Sequence, residues 1–291
     1  MKYTTLSIAI AAGIAPSLPV QAAKPVWPDT LVQLHGAGNA YLIDTKTDAV
    51  VATLETCKGG KLRHSFVDVA TDTVAKTIAV PSAPHYPVPS PDGKELWLVH
   101  EGNDSAKPGI IVYDMTKPDF PVIATLDMPL MGEEVVEAHH GNFTQDGKLF
   151  LALNRGPGKD SRGREVAFFD AASKQLVHRL TTASNGVGHT YNTPDGKLAV
   201  VTNYGNNVIT VIDVEKQKTV KDLRIGVGRM GHIAFTADGK SGYVSNDKEG
   251  NVYKLDMTKL SVEKKIETAG DKPGGGQVLN VWTNVFEELP R

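Results

Sequence analysis

The sequence holds one cysteine, Cys57, in 291 residues. An intrachain disulfide is therefore excluded, and so is a Cys-x-x-Cys-His haem attachment. No run of like charge occurs either. The 31 basic and 33 acidic side chains are interspersed and leave a net charge of −2. A nucleic-acid surface needs clustered Lys and Arg, so no nucleic-acid partner is expected. A phosphate-binding loop, a dinucleotide fingerprint and a Gly-x-Ser-x-Gly elbow are all missing, which removes the commonest nucleotide and serine-hydrolase chemistries. Aromatic residues make up 7%, and apolar residues at helical spacing are scarce throughout.

One long apolar run exists, at the N-terminus. MKYTTLSIAIAAGIAPSLPVQAA has one lysine, an apolar stretch from Leu6 to Val20 and small residues ending at Ala22 and Ala23. Residues 1–23 are expected to be a secretory signal peptide, too short and too lightly flanked to stay as a membrane span. The mature chain, 24–291, is expected in the periplasm of a Gram-negative host or secreted, and soluble, with a mean hydropathy of −0.20.

What fills the chain is short strands and turns. From Gly188 to Leu223, five-residue apolar or alternating runs are bounded by Gly, Asn, Asp or Pro, the signature of strands joined by tight turns. Aligned on Asp-Gly, four copies appear: SPDGKELWLVH from Ser90, TQDGKLFLALN from Thr144, TPDGKLAVVTN from Thr193 and TADGKSGYVSN from Thr236. The turn aspartates Asp92, Asp146, Asp195 and Asp238 are 54, 49 and 43 residues apart. A second landmark, a strand ending in Asp, recurs at Asp44, Asp68, Asp114, Asp170, Asp213 and Asp256. Four strands per 40–50 residues predict an all-β chain, a single β-propeller of six (or seven) four-stranded antiparallel blades. Lys24–Gly38 is expected to be irregular and Cys57–Val80 an abbreviated blade. Asn39–Glu55 supplies an outer pair of strands and Gly274–Phe286 an inner pair, so the N- and C-terminal segments are expected to close the ring, removing a free sheet edge.

Histidine is distributed unevenly. His85 and His139 lie seven residues before their turn aspartate; His140, His189 and His232 lie six before theirs. These are the positions where each blade enters its innermost strand, so four consecutive blades are expected to aim imidazoles at one funnel mouth. His35, His64 and His100 are further candidates. A ring of neutral imidazoles suits Zn²⁺ or Cu²⁺, or an axial bond to a haem-type tetrapyrrole. Arg155, after the second strand of its blade, is a candidate partner for a carboxylate or propionate. Met128, Met131 and Met230 offer thioethers or fill gaps, and Glu133, Glu134 and Glu137 are the nearby carboxylates. Asn154, Asn203 and Asn246 are expected to serve their own turns. Cys57 is a soft ligand or a free thiol beside a turn. The competing reading of Gly188-His189 and Gly231-His232 is structural, with the imidazole bonding the turn aspartate.

The repeat GH-x-x-x-T-x-DGK-x-x-x-V-x-N…V-x-V-I-D resembles the YVTN-type bacterial propellers. The end segments Ala37–Thr56 and Pro273–Glu288 are similar in style to those of the haem propeller of cytochrome cd nitrite reductase, whose family includes periplasmic accessory propellers of haem d biosynthesis. That resemblance implies a tetrapyrrole held at the funnel mouth by His139 or His140, His189 or His232. Those propellers have eight blades and carry a c-type haem domain, for which this chain has no counterpart. The expectation is a periplasmic ligand-binding propeller, non-catalytic, that holds a metal ion or metallo-tetrapyrrole for delivery or assembly with a periplasmic protein partner. The alternatives are an interaction scaffold with structural histidines, and a metal- or haem-dependent oxidoreductase or lyase-like enzyme.

Overall fold

A computed structural model describes residues 4–5, 30–35, 39–44, 47, 49–55, 62–68, 71, 73–129, 137–156, 162–246 and 248–268 of the chain. Its architecture is all-β. Four successive segments each form a four-stranded antiparallel meander. They are β7–β10 (Pro84–Pro89, Glu95–His100, Gly109–Asp114, Val122–Asp127) and β11–β14 (Ala138–Phe143, Leu149–Asn154, Glu165–Asp170, Leu176–Thr181). Then come β15–β18 (Val187–Asn192, Leu198–Asn203, Val208–Asp213, Lys218–Arg224) and β19–β22 (Met230–Phe235, Ser241–Asn246, Asn251–Asp256, Ser261–Ile266). Every one of the six Asp landmarks ends a strand, including β3 (Asn39–Asp44) and β5 (Arg63–Asp68).

The N-terminal part holds two smaller sheets. Strands β2 (Thr30–His35), β3 and β4 (Ala49–Glu55) form one; β1 (Thr4–Thr5), β5 and β6 (Thr73–Ala79) form the other. Lys24–Gly38 is thus not wholly irregular, because Thr30–His35 pairs residue for residue with β3 from Thr30↔Asp44 to His35↔Asn39. The alternation Leu31, Gln33, His35 against Val32, Leu34 is a strand period that a leader with flanking prolines had obscured. Gly274–Phe286, expected to close the ring, and the remainder of 1–23 lie outside the described residues.

Each Asp-Gly repeat folds into the same turn. In the second, Thr144 Oγ1 donates to Asp146 Oδ1 at 2.7 Å, the Lys148 amide donates to the same oxygen at 3.1 Å, and the Leu149 amide donates to Thr144 Oγ1 at 3.1 Å. Gly147 closes the turn at φ 70°, in the region that favours glycine. Ser90, Thr193 and Thr236 repeat the donation to Asp92, Asp195 and Asp238, each at 2.7 Å.

Burial follows position in the sheet. Second strands such as LFLALN and LAVVTN, and third strands such as GIIVYD, are buried on both faces, while outer strands alternate exposed and half-buried. Two-sided burial explains their continuous apolar runs. The faces pack sheet against sheet. Val88, Trp97, Val99 and Val112 of one meander meet Phe143, Phe150, Ala152 and Phe169 of the next. Leu151, Leu153 and Phe168 then meet Val187, Ala199 and Val201, and Val200, Ile209 and Val211 meet Ile233, Val244 and Leu255. Phe66 and Val80 of the β5–β6 sheet pack on Leu98, Tyr113 and Phe120. First strands β7, β11, β15 and β19 lie side by side, as the innermost strands of a β-propeller-like fold do.

Candidate metal centre

A recurring irregularity positions the histidines. Where each first strand begins, it carries one residue too many against its partner. In β7, Pro84 faces His100 and Tyr86 faces Val99, leaving His85 unpaired. In β11, the three steps from Ala138 to Gly141 cross only two on β12, and His139 and His140 occupy the bulge. Gly188 is the extra residue before His189 in β15, and Gly231-His232 falls in the bulge of β19. A bulge bends its strand and re-aims side chains. Here it turns four consecutive blades so that their imidazoles converge.

Five rings form a continuous cluster. Centroids are 3.8 Å apart for His85–His139, 4.5 Å for His139–His140, 4.8 Å for His85–His140, 4.1 Å for His140–His189 and 4.1 Å for His189–His232. His139 is 2% exposed and His189 5%, while His85, His140 and His232 are half-buried. Burial favours the neutral ring. It holds His85 down at about 4, and it lowers His139, His140, His189 and His232, with the neighbouring imidazoles and Arg155 adding to the effect on His139. Buried Nδ1 atoms of His85, His139, His140 and His189 make no hydrogen bond. A neutral imidazole with an unpartnered nitrogen is the form that binds a metal. One nitrogen each from His85, His139 and His140 falls within a mutual 4.8 Å.

Tyrosines and charges frame the rings. Tyr204 OH is 3.4 Å from His139 Nε2 and 3.3 Å from His189 Nε2, within hydrogen-bond distance of both. Arg155 and Arg229 each stand over the Tyr204 ring, at 5.6 and 5.4 Å. The Tyr191 hydroxyl bonds His232 Nδ1, and Tyr86 packs 4.2 Å from His140. Arg155 pairs with Glu137 and sends a second N–H toward His139 Nε2 at 3.3 Å. Glu101 lies 3.6 Å from His85 Nε2.

All five histidines at the entrance positions reach the cluster, and Arg155 stands at its edge against the Glu137 carboxylate. His100 and His64 do not. His100 is buried beside Ser82, Nδ1 to Oγ 2.7 Å, and His64 stands edge-on to Phe66 inside its own sheet. His189 and His232 do not bond the turn aspartates, which accept from Thr and Lys of their own turns; their imidazoles meet tyrosines instead. Met128 and Met230 are buried in the inter-sheet cores and fill space there. Asn154, Asn203 and Asn246 accept from amides of their own loops. Cys57, Met131, Glu133 and Glu134 lie outside the described residues, and of His35 only its strand is placed. Sequence reasoning missed Tyr86, Tyr191, Tyr204 and Glu101. Tyr86 follows His85 directly and Tyr204 is the neighbour of an expected loop asparagine, so proximity to those positions was the available signal.

No protein-family model matches the chain, and no curated protein matches it. Among solved structures, the hydrazine synthase of Kuenenia stuttgartiensis is similar, with a TM-score of 0.56 over 83% of this chain and 67% of that one. At 17% identity the likeness establishes a shared β-propeller-like fold alone.

Proposed function

We propose that this chain is a periplasmic ligand-binding propeller that holds a divalent transition-metal ion, Zn²⁺ or Cu²⁺, in its histidine-lined mouth and passes it to a protein partner. One observation carries the reading: five imidazoles from four blades gather in ring contact, and four of them, His85, His139, His140 and His189, hold a buried, unpartnered Nδ1. Burying that many polar groups without partners costs stability, roughly 1–3 kcal/mol each, and metal ligation offsets the cost. Within the choice between an ion and a tetrapyrrole, ring spacings of 3.8–4.8 Å favour the ion. Rings in mutual contact leave no slot for a flat macrocycle. The six Asp landmarks support six blades. The leader-like residues 1–23 support export.

Calorimetric titration with Zn²⁺ tests the reading, using the mature chain, a His139→Ala/His189→Ala/His232→Ala variant, and His178→Ala as a control outside the cluster. One-to-one binding in wild type and control, lost in the triple variant with its thermal midpoint retained, is the expected result. Equal weak binding in all three refutes the site. Haemin titration followed by its visible spectrum decides for the tetrapyrrole if it binds where Zn²⁺ does not.

A further inference from the structure

Two carboxylates stand against the imidazoles in a way that delivery by histidines alone does not explain. Glu101 leaves the end of β8 and Glu137 leads into β11, so both reach the mouth from loops of adjacent blades. One ligand atom each of Glu101, Glu137 and His139 lies within a mutual 4.8 Å, the same spacing that unites His85, His139 and His140. His139 belongs to both groups. Its Nδ1 is buried, unpartnered and 3.9 Å from Glu137 Oε1. His85 Nε2 is 3.6 Å from Glu101 Oε1, so the two groups touch a second time.

Resting on the metal reading above, we propose that Glu101 and Glu137 are ligands too, and that the ion sits in a mixed set of three imidazoles and two carboxylates. Charge supports this. Arg155 places a positive guanidinium 3.3 Å from His139. A divalent cation entering a purely imidazole site there meets uncompensated repulsion in a poorly hydrated place. Glu101 and Glu137 supply two negative charges, and the Arg155–Glu137 pair keeps the second carboxylate from standing alone before the ion arrives. Five nitrogen and oxygen ligands exceed the four of a closed structural zinc site and suit a five- or six-coordinate ion. Such a centre binds harder divalent metals, Mn²⁺, Fe²⁺ and Co²⁺, as well as zinc.

Co²⁺ is the probe, because its visible absorption is weak in five- or six-coordinate sites and intense in tetrahedral ones. Wild type, Glu101→Gln, Glu137→Gln and Glu137→Asp are titrated, with thermal midpoints recorded. The weak spectrum is expected in wild type, with each glutamine substitution lowering affinity at least about tenfold and strengthening the bands. A carboxylate that serves only to hold a loop leaves the spectrum unmoved. Co²⁺ bound with an intense spectrum that neither substitution changes overturns the two carboxylate ligands and leaves the histidine site standing. No Co²⁺ binding to wild type overturns both. Should Glu137→Gln fail to fold, Glu101→Gln and Glu137→Asp carry the same test.

Discussion

Gly188 and Tyr204 give a prediction whose magnitude can be worked from geometry. A Cβ built on Gly188 falls 2.7 Å from Tyr204 Cδ2 and closer still to Cε2. The backbone there is not in the left-handed region, so alanine costs nothing through φ, and the ring is the whole obstacle. The ring cannot swing aside freely. Its hydroxyl is shared between His139 and His189, and two guanidinium groups stand over the ring. Inserting a methyl against a fixed neighbour costs about 1–3 kcal/mol. For a chain of this size that is a fall of roughly 2–4 °C in Tm per kcal/mol. The assay is urea unfolding of four proteins: wild type, Gly188→Ala, Tyr204→Ala and the double variant. In the Tyr204→Ala background the same Gly188→Ala change should cost less than about 0.5 kcal/mol, giving a coupling energy near the whole single-variant cost. An equal cost in both backgrounds refutes the claim that Tyr204 is the obstacle, and a single-variant cost below about 0.5 kcal/mol refutes its being held.

Acid should weaken the fold through His64, among others. Burial holds this ring at about 4, below the ordinary 6.5, so the unfolded state takes up a proton that the folded state refuses. Stability contributed by the neutral ring is then intact above pH 6.5 and declines as pH falls toward 4, by up to about 3 kcal/mol in all. In His64→Gln the pH slope of urea-unfolding stability across that window should be shallower by about one proton's worth, and an unchanged slope contradicts the assignment. Trp97 is fully buried between two sheets, 4.8 Å from Phe150 and 5.2 Å from Phe143. Trp97→Ala should cost about 3–5 kcal/mol, read as a lower urea midpoint, and a loss under 1 kcal/mol would mean the sheets do not pack face to face there.

Much of the fold is legible in the residues because it is local. A Thr-x-Asp-Gly-Lys turn satisfies its own amides, and a strand ending in Asp hands its carboxylate to the next turn, as Asp114 does for Thr116 at 2.8 Å. Each such unit needs no distant partner to be recognised. The β2 strand escaped because its run is short and sits beside prolines, and only pairing with β3 reveals it. The site was half legible. Counting back six or seven residues from each turn aspartate finds the five clustered histidines, since every first strand has the same length. The same counting cannot distinguish His100, which ends a second strand and turns into the blade toward Ser82.

The sequence by itself determined the repeat, the turns, the strand ends and the heights at which imidazoles stand, because all of these are set by residues within about ten positions of one another. The tertiary structure alone decided which imidazoles meet, that Tyr204 bridges two of them across 65 and 15 residues of chain, and that Glu101 and Glu137 come up beside His139. Those contacts depend on bulges that rotate each first strand and on blades packed face to face. A register shift of one residue is invisible in an apolar pattern, yet it aims a side chain at the axis or away from it.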